Sequence, residues 1–515
     1  MSPKAITKTT AIVIIVAVII VGIGIGLLLT TQPKPPTGTQ TTTPSAGLLL
    51  TTQPKPPTGT QTTTPSAGLV TLQIGNAQIR VPQDFYDFVQ KAKSGEVSVT
   101  IYFGNALAPE ERPGFYKVIN AFQQEYPGIK VEKKEYGGSG DMQSAVVAAA
   151  SLPKEQRESL IGTAPDVFTW AHDWVGWMAD SGYLVALEDY LGPDAIEDIS
   201  GYLLSSALAS VTYKTKTYGL PYAGEALALY VNLNLVNNPP TTFEEMKQIM
   251  QQFYNPSQGT YGIAGQVSGM YHLNAWISAF NGFFYDDVTK QLGFTKPETK
   301  QGLEFFVQNI LRYMDVTDLS HDYQRRLWAN GKAPFYISGP WDVSFAISNF
   351  GLNGFTVVPL PTIEGNKVPR PWSGFRNMYI TVMAETGGKE RTYASILLVL
   401  YVALNHDSVL TLVNENGYVP VLKSVAEYVS NNLQANQLYK IVLGFYNQLA
   451  RSTPMPKDKN MQVVWGADTY LQAIWQTYYN AISSGESVDS AVQAALGQID
   501  EALQQAYNNI SPKIS

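Results

Sequence analysis

The sequence predicts an α/β body of two lobes or domains behind an N-terminal membrane-spanning segment and a stalk. The chain has 515 residues, more than a single compact core usually holds. Its body alternates strand, helix and strand from residue 97 onwards, and its first 67 residues combine a long apolar run with a tandem repeat. The 45% hydrophobic content is that of a globular protein.

The N-terminal apolar run has the length of a membrane span. Residues 11–29 are all uncharged and follow Lys4 and Lys8. A helix of this length, at about 1.5 Å per residue, crosses the roughly 30 Å hydrocarbon core of a bilayer. Because lysines favour the cytoplasmic side, we expect residues 1–10 inside the cell and the body outside. A cleaved signal peptide is the alternative, although its apolar core is usually shorter.

A polar stalk follows the apolar run. Residues 26–46, GLLLTTQPKPPTGTQTTTPSA, recur without change at 47–67. Thr, Pro, Gly and Gln bury too little apolar surface to offset the entropy lost on ordering, so residues 30–68 are expected to be a disordered spacer. An N-terminal extension, 69–95, joins the stalk to the body, and its pattern predicts a hairpin and a short helix.

Composition argues against several kinds of site. The chain has no Cys, which excludes disulfides, thiolate metal sites and a lipidated Cys. Its four histidines, His172, His272, His321 and His406, lack the spacing of a zinc site. A net charge of −7, with four lysines and no acid before residue 69, leaves the body acidic and argues against nucleic acid. No cofactor is expected.

The body opens with a βαβ unit. Residues 97–103 have the pattern of a strand, apolar residues at helical spacing follow over 115–126, and a second strand begins at Ile129. A further helix and strand repeat the alternation, which favours a parallel, doubly wound sheet. Ligands of such sheets bind at the carboxyl ends of the strands. Trp170 and Asp173 follow a strand in this way, and indole with carboxylate suits the C–H faces and hydroxyls of a sugar.

Six segments, in chain order, resemble the maltose/maltodextrin-binding and trehalose/maltose-binding proteins, members of family 1 of the extracellular solute-binding proteins of ABC transporters. The segments are GTAPDVFTWAHD at 162–173, YGLPYAGEALALYVN at 218–232, NPPTTFEE at 238–245, APFYISGPWD at 333–342, PWSG at 371–374 and SVDSAV at 487–492. Each motif is modest alone, but their shared order is specific.

The resemblance implies a two-lobed, periplasmic-binding-protein-like fold whose lobes close over a sugar by hinge bending. It implies lobe 1 over 96–222 and 359–425 and lobe 2 over 223–358 and 426–510. The crossings between lobes are expected near Ala223, over 358–371 and over 424–430. The implied partners are a carbohydrate and ABC permease subunits, and a monomer is expected. Glucose, maltose, trehalose, another disaccharide or a longer oligomer all remain open as the sugar.

The expected ligand residues come from the matching positions and from departures from the family pattern. Trp174 stands where the family has Arg, Asn105 stands in for a family Asp, and Leu471 occupies the position of the C-terminal cleft Trp, which leaves Trp465 and Trp475 as candidates. The predicted set is Trp170, Asp173, Trp174, Glu225, Tyr271, Trp341, Trp372, Trp465 and Asn105.

Structural alternatives stand beside these functional ones. Trp341 could plug the core of lobe 2, and Glu225 could cap a strand or form an interlobe salt bridge. Three other tryptophans lie in helical apolar patterns and are expected in the core, namely Trp177, Trp276 and Trp328.

Two other functions compete with transport. A glycoside hydrolase would use Asp173 and Glu225 as acid and base, but the sequence holds no other catalytic signature. An adhesive or structural surface protein would explain the anchor and stalk, yet it leaves the clustered Trp and Asp residues unexplained.

Overall fold

The computed structural model describes residues 68–267 and 269–515. The predicted cytoplasmic N-terminus, the membrane span at 11–29 and the stalk up to residue 67 lie outside the described residues. Within the described ranges, no single helix is long and apolar enough to cross a membrane. The pair Lys389–Leu404 and His406–Asn416, bent by 64°, has the required length and composition only when taken together.

The strands were numbered in chain order. They are β1 (Leu69–Ile74), β2 (Ala77–Pro82), β3 (Val99–Asn105), β4 (Ile129–Glu135), β5 (Val167–Ala171), β6 (Thr212–Tyr213), β7 (Lys216–Thr217), β8 (Gly219–Glu225), β9 (Ala228–Asn232), β10 (Ile263–Gly265), β11 (Tyr285–Asp286), β12 (Gln291–Leu292), β13 (Phe335–Ser338), β14 (Phe355–Val358), β15 (Trp372–Ile380), β16 (Val419–Pro420) and β17 (Thr453–Pro454).

The α-helices were numbered in the same way. They are α1 (Gln83–Ser94), α2 (Arg112–Glu125), α3 (Ser139–Ala150), α4 (Lys154–Arg157), α5 (Val175–Asp180), α6 (Glu188–Leu191), α7 (Pro193–Tyr202), α8 (Ser205–Val211), α9 (Phe243–Phe253), α10 (Met270–Ala279), α11 (Pro297–Asn309), α12 (His321–Ala329), α13 (Val343–Phe350), α14 (Val382–Thr386), α15 (Lys389–Leu404), α16 (His406–Asn416), α17 (Lys423–Asn431), α18 (Gln437–Leu449), α19 (Met461–Val464), α20 (Asp468–Ser483) and α21 (Val488–Ile510).

Two sheets build the two lobes. The sheet of lobe 1 has the strand order β16-β8-β15-β5-β3-β4, and the sheet of lobe 2 has the order β10-β13-β9-β14. The predicted βαβ unit is confirmed, since β3 pairs in parallel with both β4 and β5. β15, however, runs antiparallel to β5 and β8. The sheet is therefore mixed rather than parallel throughout, because β15 arrives from lobe 2 and not through a βαβ crossover.

The chain passes between the sheets at three places. It first leaves lobe 1 between β8 and β9, at Ala226 and Leu227, both fully buried, and it returns between β14 and β15. The third passage was expected over 424–430, and the structure places α17 beside β16 of the lobe 1 sheet and α18 against β14 of the lobe 2 sheet. Further along the chain, β17 pairs in parallel with the start of β15.

The N-terminal extension is an integral layer of lobe 1. Its predicted hairpin and helix are confirmed as β1, β2 and α1. Phe85 and Phe88 of α1 pack against Tyr393, with ring centroids 5.0 and 5.6 Å apart. Arg80 donates to Asp198 of α7 at 2.8 Å. The extension covers α15, whose side chains are buried throughout its last fourteen residues, at a distance from the strand ends that carry the cleft residues.

Candidate functional site

A cleft of about 1180 Å³ lies between the two sheets. Its lobe 1 wall consists of the turns that follow β3 and β5 and the beginning of α3. Its lobe 2 wall consists of the beginnings of α10 and α12, the turn after β13 and the segment around Trp465. Pockets for small ligands usually measure about 300–1,000 Å³. The cleft is therefore large for a small-molecule site.

Most of the predicted ligand residues meet in this cleft. Those that line it are Trp170, Asp173, Trp174, Glu225, Tyr271, Trp341 and Trp465.

Asn105 and Trp372 lie behind the cleft wall. Asn105 is fully buried, and its side-chain oxygen accepts from the backbone N–H of Leu107 at 3.4 Å, which closes the turn after β3. Trp372 is buried and packs edge-on against Trp465, with ring centroids 5.7 Å apart. These residues support the lining without forming part of it, because the strand ends turn their side chains inward.

The end of β5 and the turn that follows it carry an aromatic stack. Trp170 and Trp174 lie with their ring centroids 5.1 Å apart and their planes at 30°. Trp177 packs behind Trp174 at 6.5 Å and is 5% exposed, so it is buried as expected, yet its edge reaches the cleft. The other two predicted core tryptophans, Trp276 and Trp328, are buried in lobe 2. The stack gives the lobe 1 wall an apolar surface backed by further rings.

Asp173 combines burial with an unused acceptor. Its Oδ2 accepts from the indole N–H of Trp465 at 3.1 Å, whereas its Oδ1 has no hydrogen-bond partner among the described residues. Burial raises the pKa of Asp173 to about 7, against the opposing effect of the Trp465 bond. An unpaired buried acceptor costs about 1–3 kcal/mol. The free oxygen therefore suits a ligand hydroxyl.

Glu225 belongs to an ion-pair network within lobe 1. It accepts from Arg376 Nε at 2.9 Å, and Arg376 Nη1 donates to Glu111 at 2.9 Å and to the hydroxyl of Tyr418 at 3.0 Å. Burial raises the pKa of Glu111. The salt bridge of Glu225 thus joins two strands of one lobe rather than two lobes. Sequence reasoning missed Arg376 and Glu111, because only the pairing of Gly374 with Glu225 brings Arg376 to this place.

The lobe 2 wall presents two aromatic rings. Trp341 lies in a 3₁₀ turn directly after β13, is partly exposed, and faces Tyr271 of α10 with ring centroids 6.3 Å apart. A Cβ on Gly339 would lie 2.2 Å from the Trp341 ring, so the indole folds back over a residue that must be glycine. The guanidinium carbon of Arg376 lies 5.9 Å from the Trp341 ring centroid. Trp341 therefore borders the cleft and is not a core plug.

The C-terminal segment supplies the last cleft tryptophan. Trp465 occupies a 3₁₀ turn before α20 and reaches across to Asp173 in lobe 1. The other candidate, Trp475, is buried in the core of lobe 2, and so is Leu471 at the aligned position. Of the two candidates, Trp465 lines the cleft, six residues before Leu471.

Two cleft-side histidines stay neutral at physiological pH. His172 bonds the Met455 carbonyl through Nε2 at 3.0 Å, while its Nδ1 accepts from the Phe375 N–H at 3.2 Å. Burial lowers the pKa of His172 to about 4 and that of His272 to about 3. Among the described residues, no cluster of His, Asp and Glu could hold a metal ion. The cleft therefore offers stacking faces and hydroxyl acceptors.

Comparison with known proteins places the chain in a family. The family described as bacterial extracellular solute-binding protein matches residues 117–440. The maltotriose-binding protein of Pyrococcus abyssi (strain GE5 / Orsay) is 30% identical over 382 residues, which cover 73% of this chain and 77% of that protein. The galactooligosaccharide-binding protein of Bacillus subtilis (strain 168) is 23% identical over 407 residues, covering 76% and 87%.

Solved structures share the fold. The maltose-maltodextrin binding protein of Alicyclobacillus acidocaldarius has a TM-score of 0.59 at 21% identity and covers 78% of this chain and 100% of its own. The extracellular solute-binding protein of Staphylococcus aureus, solved with maltose, has a TM-score of 0.56 at 21% identity, covering 81% and 97%. The expected two-lobed α/β fold is confirmed, and the chain belongs to the family of bacterial extracellular solute-binding proteins.

Proposed function

We propose that this protein captures a maltooligosaccharide in its cleft and delivers it unchanged to an ABC importer. One observation carries the proposal: a buried carboxylate oxygen of Asp173 that has no hydrogen-bond partner among the described residues and the indole of Trp341 border one cleft from opposite lobes. Relatives described as maltotriose-, galactooligosaccharide- and maltodextrin-binding proteins support an oligosaccharide as the ligand.

Binding in this cleft would use both kinds of contact. The C–H face of a sugar ring stacks on Trp341 or Trp170, and an aromatic contact adds about 0.5–1.5 kcal/mol beyond area burial. A hydroxyl donates to Asp173 Oδ1, and a hydrogen bond to a charged group contributes about 1.5–3 kcal/mol. The three passages between the lobes let lobe 2 hinge onto the ligand.

The same geometry argues against the hydrolase alternative. A hydrolase needs two carboxylates that are free to exchange protons with the substrate. One oxygen of Glu225 is occupied by Arg376 at 2.9 Å. The family to which the chain belongs binds solutes. Maltotriose incubated with the protein should therefore be recovered intact by chromatography.

Residues 11–29, which lie outside the described residues, are proposed as the membrane tether. Their uninterrupted apolar length and the preceding lysines support a retained span with the body outside the cell. The alternative role in adhesion would use the same tether without the cleft. Mass spectrometry of the native protein tests retention, and an N-terminus at or beyond residue 30 would contradict it.

Ligand binding is tested by thermal shift of the full chain against a panel of maltose, maltotriose, trehalose and a galactooligosaccharide. A ligand at 100 times its dissociation constant raises the free energy of unfolding by about 2.7 kcal/mol. We expect maltotriose to stabilise the protein and Asp173→Ala to weaken that shift. A folded protein that no oligosaccharide stabilises would contradict the proposed function.

A further inference from the structure

The turn that carries Trp341 is fixed from behind by a buried carboxylate. Asp342 is fully buried and does not line the cleft. Its Oδ2 accepts from the hydroxyls of Tyr336 and Ser338, both at 2.6 Å, and lies 2.9 Å from His321 Nε2. Its three partners come from β13, the end of β13 and the beginning of α12. The carboxylate therefore ties the turn to two elements of lobe 2.

A second bond fixes the same turn from its other end. The hydroxyl of Tyr230 on β9 donates to the carbonyl oxygen of Gly339 at 2.6 Å. Trp341 thus lies between two tethered residues, with Gly339 on one side and Asp342 on the other. Because the turn is held at both ends, the Trp341 side chain loses little conformational freedom when a ligand stacks on it.

We propose that Asp342 is a positioning residue for sugar binding, which holds the Trp341 indole in its stacking orientation before the ligand arrives. The inference rests on the proposed contact between Trp341 and the sugar. Burying a carboxylate costs free energy, and apolar side chains can hold a turn equally firmly. Stability alone therefore does not explain an Asp at this position. The Asp342 carboxylate fixes the orientation of the turn as well as its distance from β13 and α12, because three donors converge on Oδ2.

The Asp342 cluster also lies beside the seam between the lobes. Arg325 Nη1 is 3.8 Å from Asp342 Oδ1 and 3.5 Å from Glu110 Oε2, and Glu110 belongs to the lobe 1 loop before α2. His321 and Arg325 both line the cleft. A change at Asp342 could therefore act through this interlobe ion pair instead of through Trp341. The variant Glu110→Gln separates the two routes, because it removes the ion pair and leaves the turn intact.

A double-mutant cycle tests the inference by calorimetric titration with maltotriose. The full chain is compared as wild type, Asp342→Asn, Trp341→Ala and the double variant. We expect Asp342→Asn to lower affinity about two- to tenfold. The Trp341 side chain would then have to be ordered on binding, and the lost conformational entropy would weaken binding by this amount. In the Trp341→Ala background the same change should have no further effect, and Glu110→Gln should not reproduce the loss.

Asp315 provides a matched control in lobe 2. It is also buried, and it accepts from the Tyr323 hydroxyl and from Thr317 Oγ1, both at 2.7 Å, away from the cleft. Asp315→Asn should lower the melting temperature without changing affinity. Should Asp342→Asn not fold, Tyr336→Phe removes one of the Asp342 hydrogen bonds, keeps the ring and should give a smaller loss of affinity.

The possible outcomes test three separate claims: the positioning role of Asp342, the contact between Trp341 and the sugar, and the proposed function. An equal affinity loss from Asp342→Asn with and without Trp341 would overturn the inference, and so would normal affinity in both Asp342→Asn and Tyr336→Phe. Normal affinity in Trp341→Ala would instead remove the Trp341 contact on which the inference depends. A wild-type protein that binds no maltotriose would contradict the proposed function itself.

Discussion

The two walls of the cleft differ in the side chains that they present and in the contacts that hold those side chains. The lobe 1 wall carries Asp173 in the turn after β5 and Glu225 at the end of β8, and of these two only Glu225 is paired with an Arg of its own lobe. The lobe 2 wall carries Trp341 and Tyr271, held on a turn and a helix start. Hydroxyl acceptors from lobe 1 and the Trp341 ring from lobe 2 thus face one cleft, and Trp170 and Trp174 add stacking faces on the lobe 1 side. We expect a sugar to contact Asp173 and Trp341 together only when the lobes lie close to each other, so closure is predicted to be part of recognition.

Removing the acid of lobe 1 should have the largest effect. Above about pH 7, where Asp173 is ionised, Asp173→Ala deletes a charged acceptor worth about 1.5–3 kcal/mol per hydrogen bond, so affinity should fall about ten- to hundredfold. Asp173→Asn keeps an acceptor for Trp465 and should lose less. Calorimetric titration measures both, and wild-type affinity in Asp173→Ala would show that the lobe 1 wall does not hold the sugar through this residue.

Removing the stacking ring of lobe 2 should have the next largest effect. Trp341→Ala deletes an apolar platform and should lower affinity about tenfold, equivalent to about 1.4 kcal/mol. Because the Trp341 ring is partly exposed, its removal should lower the free energy of unfolding only slightly. If Trp341 were a core residue, its loss would cost about 3–5 kcal/mol of stability and leave binding near normal. Thermal melts beside the titrations distinguish these results.

The pH dependence of stability tests the buried acid directly. The unfolded chain loses the Asp173 proton near pH 4, whereas the folded chain keeps it up to about pH 7. In this window only the folded state binds the proton, so the Asp173 contribution to the free energy of unfolding falls as pH rises from about 4 to about 7.

Asp173→Asn should lack this contribution, which melts of both proteins across the window would reveal. Asp468, whose pKa burial also raises to about 7, and His321, whose pKa is raised by its bond to Asp342 against the effect of burial, are present in both proteins. Their contributions cancel in the comparison. Identical pH profiles would contradict the burial argument for Asp173.

Closure should give the smallest signal. Because Asp173 and Trp341 border the cleft from opposite lobes, maltotriose should draw lobe 2 onto lobe 1 and reduce the radius of gyration measured by small-angle scattering. Asp173→Ala at the same sugar concentration should change less. An unchanged scattering profile for the wild type at saturating maltotriose would argue against hinge closure.

The sequence predicted the elements that depend on local patterns. The βαβ unit, the extension's hairpin and helix and the turn carrying Trp170 and Asp173 all follow from periodicity and motif order. The direction of β15 did not follow, because strand pairing is set by distant partners. Asn105 was predicted as a substitute for a family Asp, and the structure places it behind the cleft wall, where its side-chain oxygen closes a turn.

The network around Glu225 shows the same limit. Arg376 lies far along the chain from both acids: it meets Glu225 through the register of β8 and β15, and Glu111 reaches it from the turn before α2. Asp342 is adjacent to Trp341 in sequence, yet its role depends on hydroxyls and a His that converge on it in the fold. The residue types predicted which side chains could stack on a sugar or accept its hydroxyls. The contacts that hold those side chains in place could be identified only from the structure.

A crystal structure of the complex with maltotriose tests the central claim most directly. We expect a sugar ring stacked on Trp341 and a hydroxyl within hydrogen-bond distance of Asp173 Oδ1, which has no hydrogen-bond partner among residues 68–267 and 269–515. A sugar bound elsewhere, or a complex in which Asp173 Oδ1 stays unpaired and Trp341 makes no contact, would contradict it.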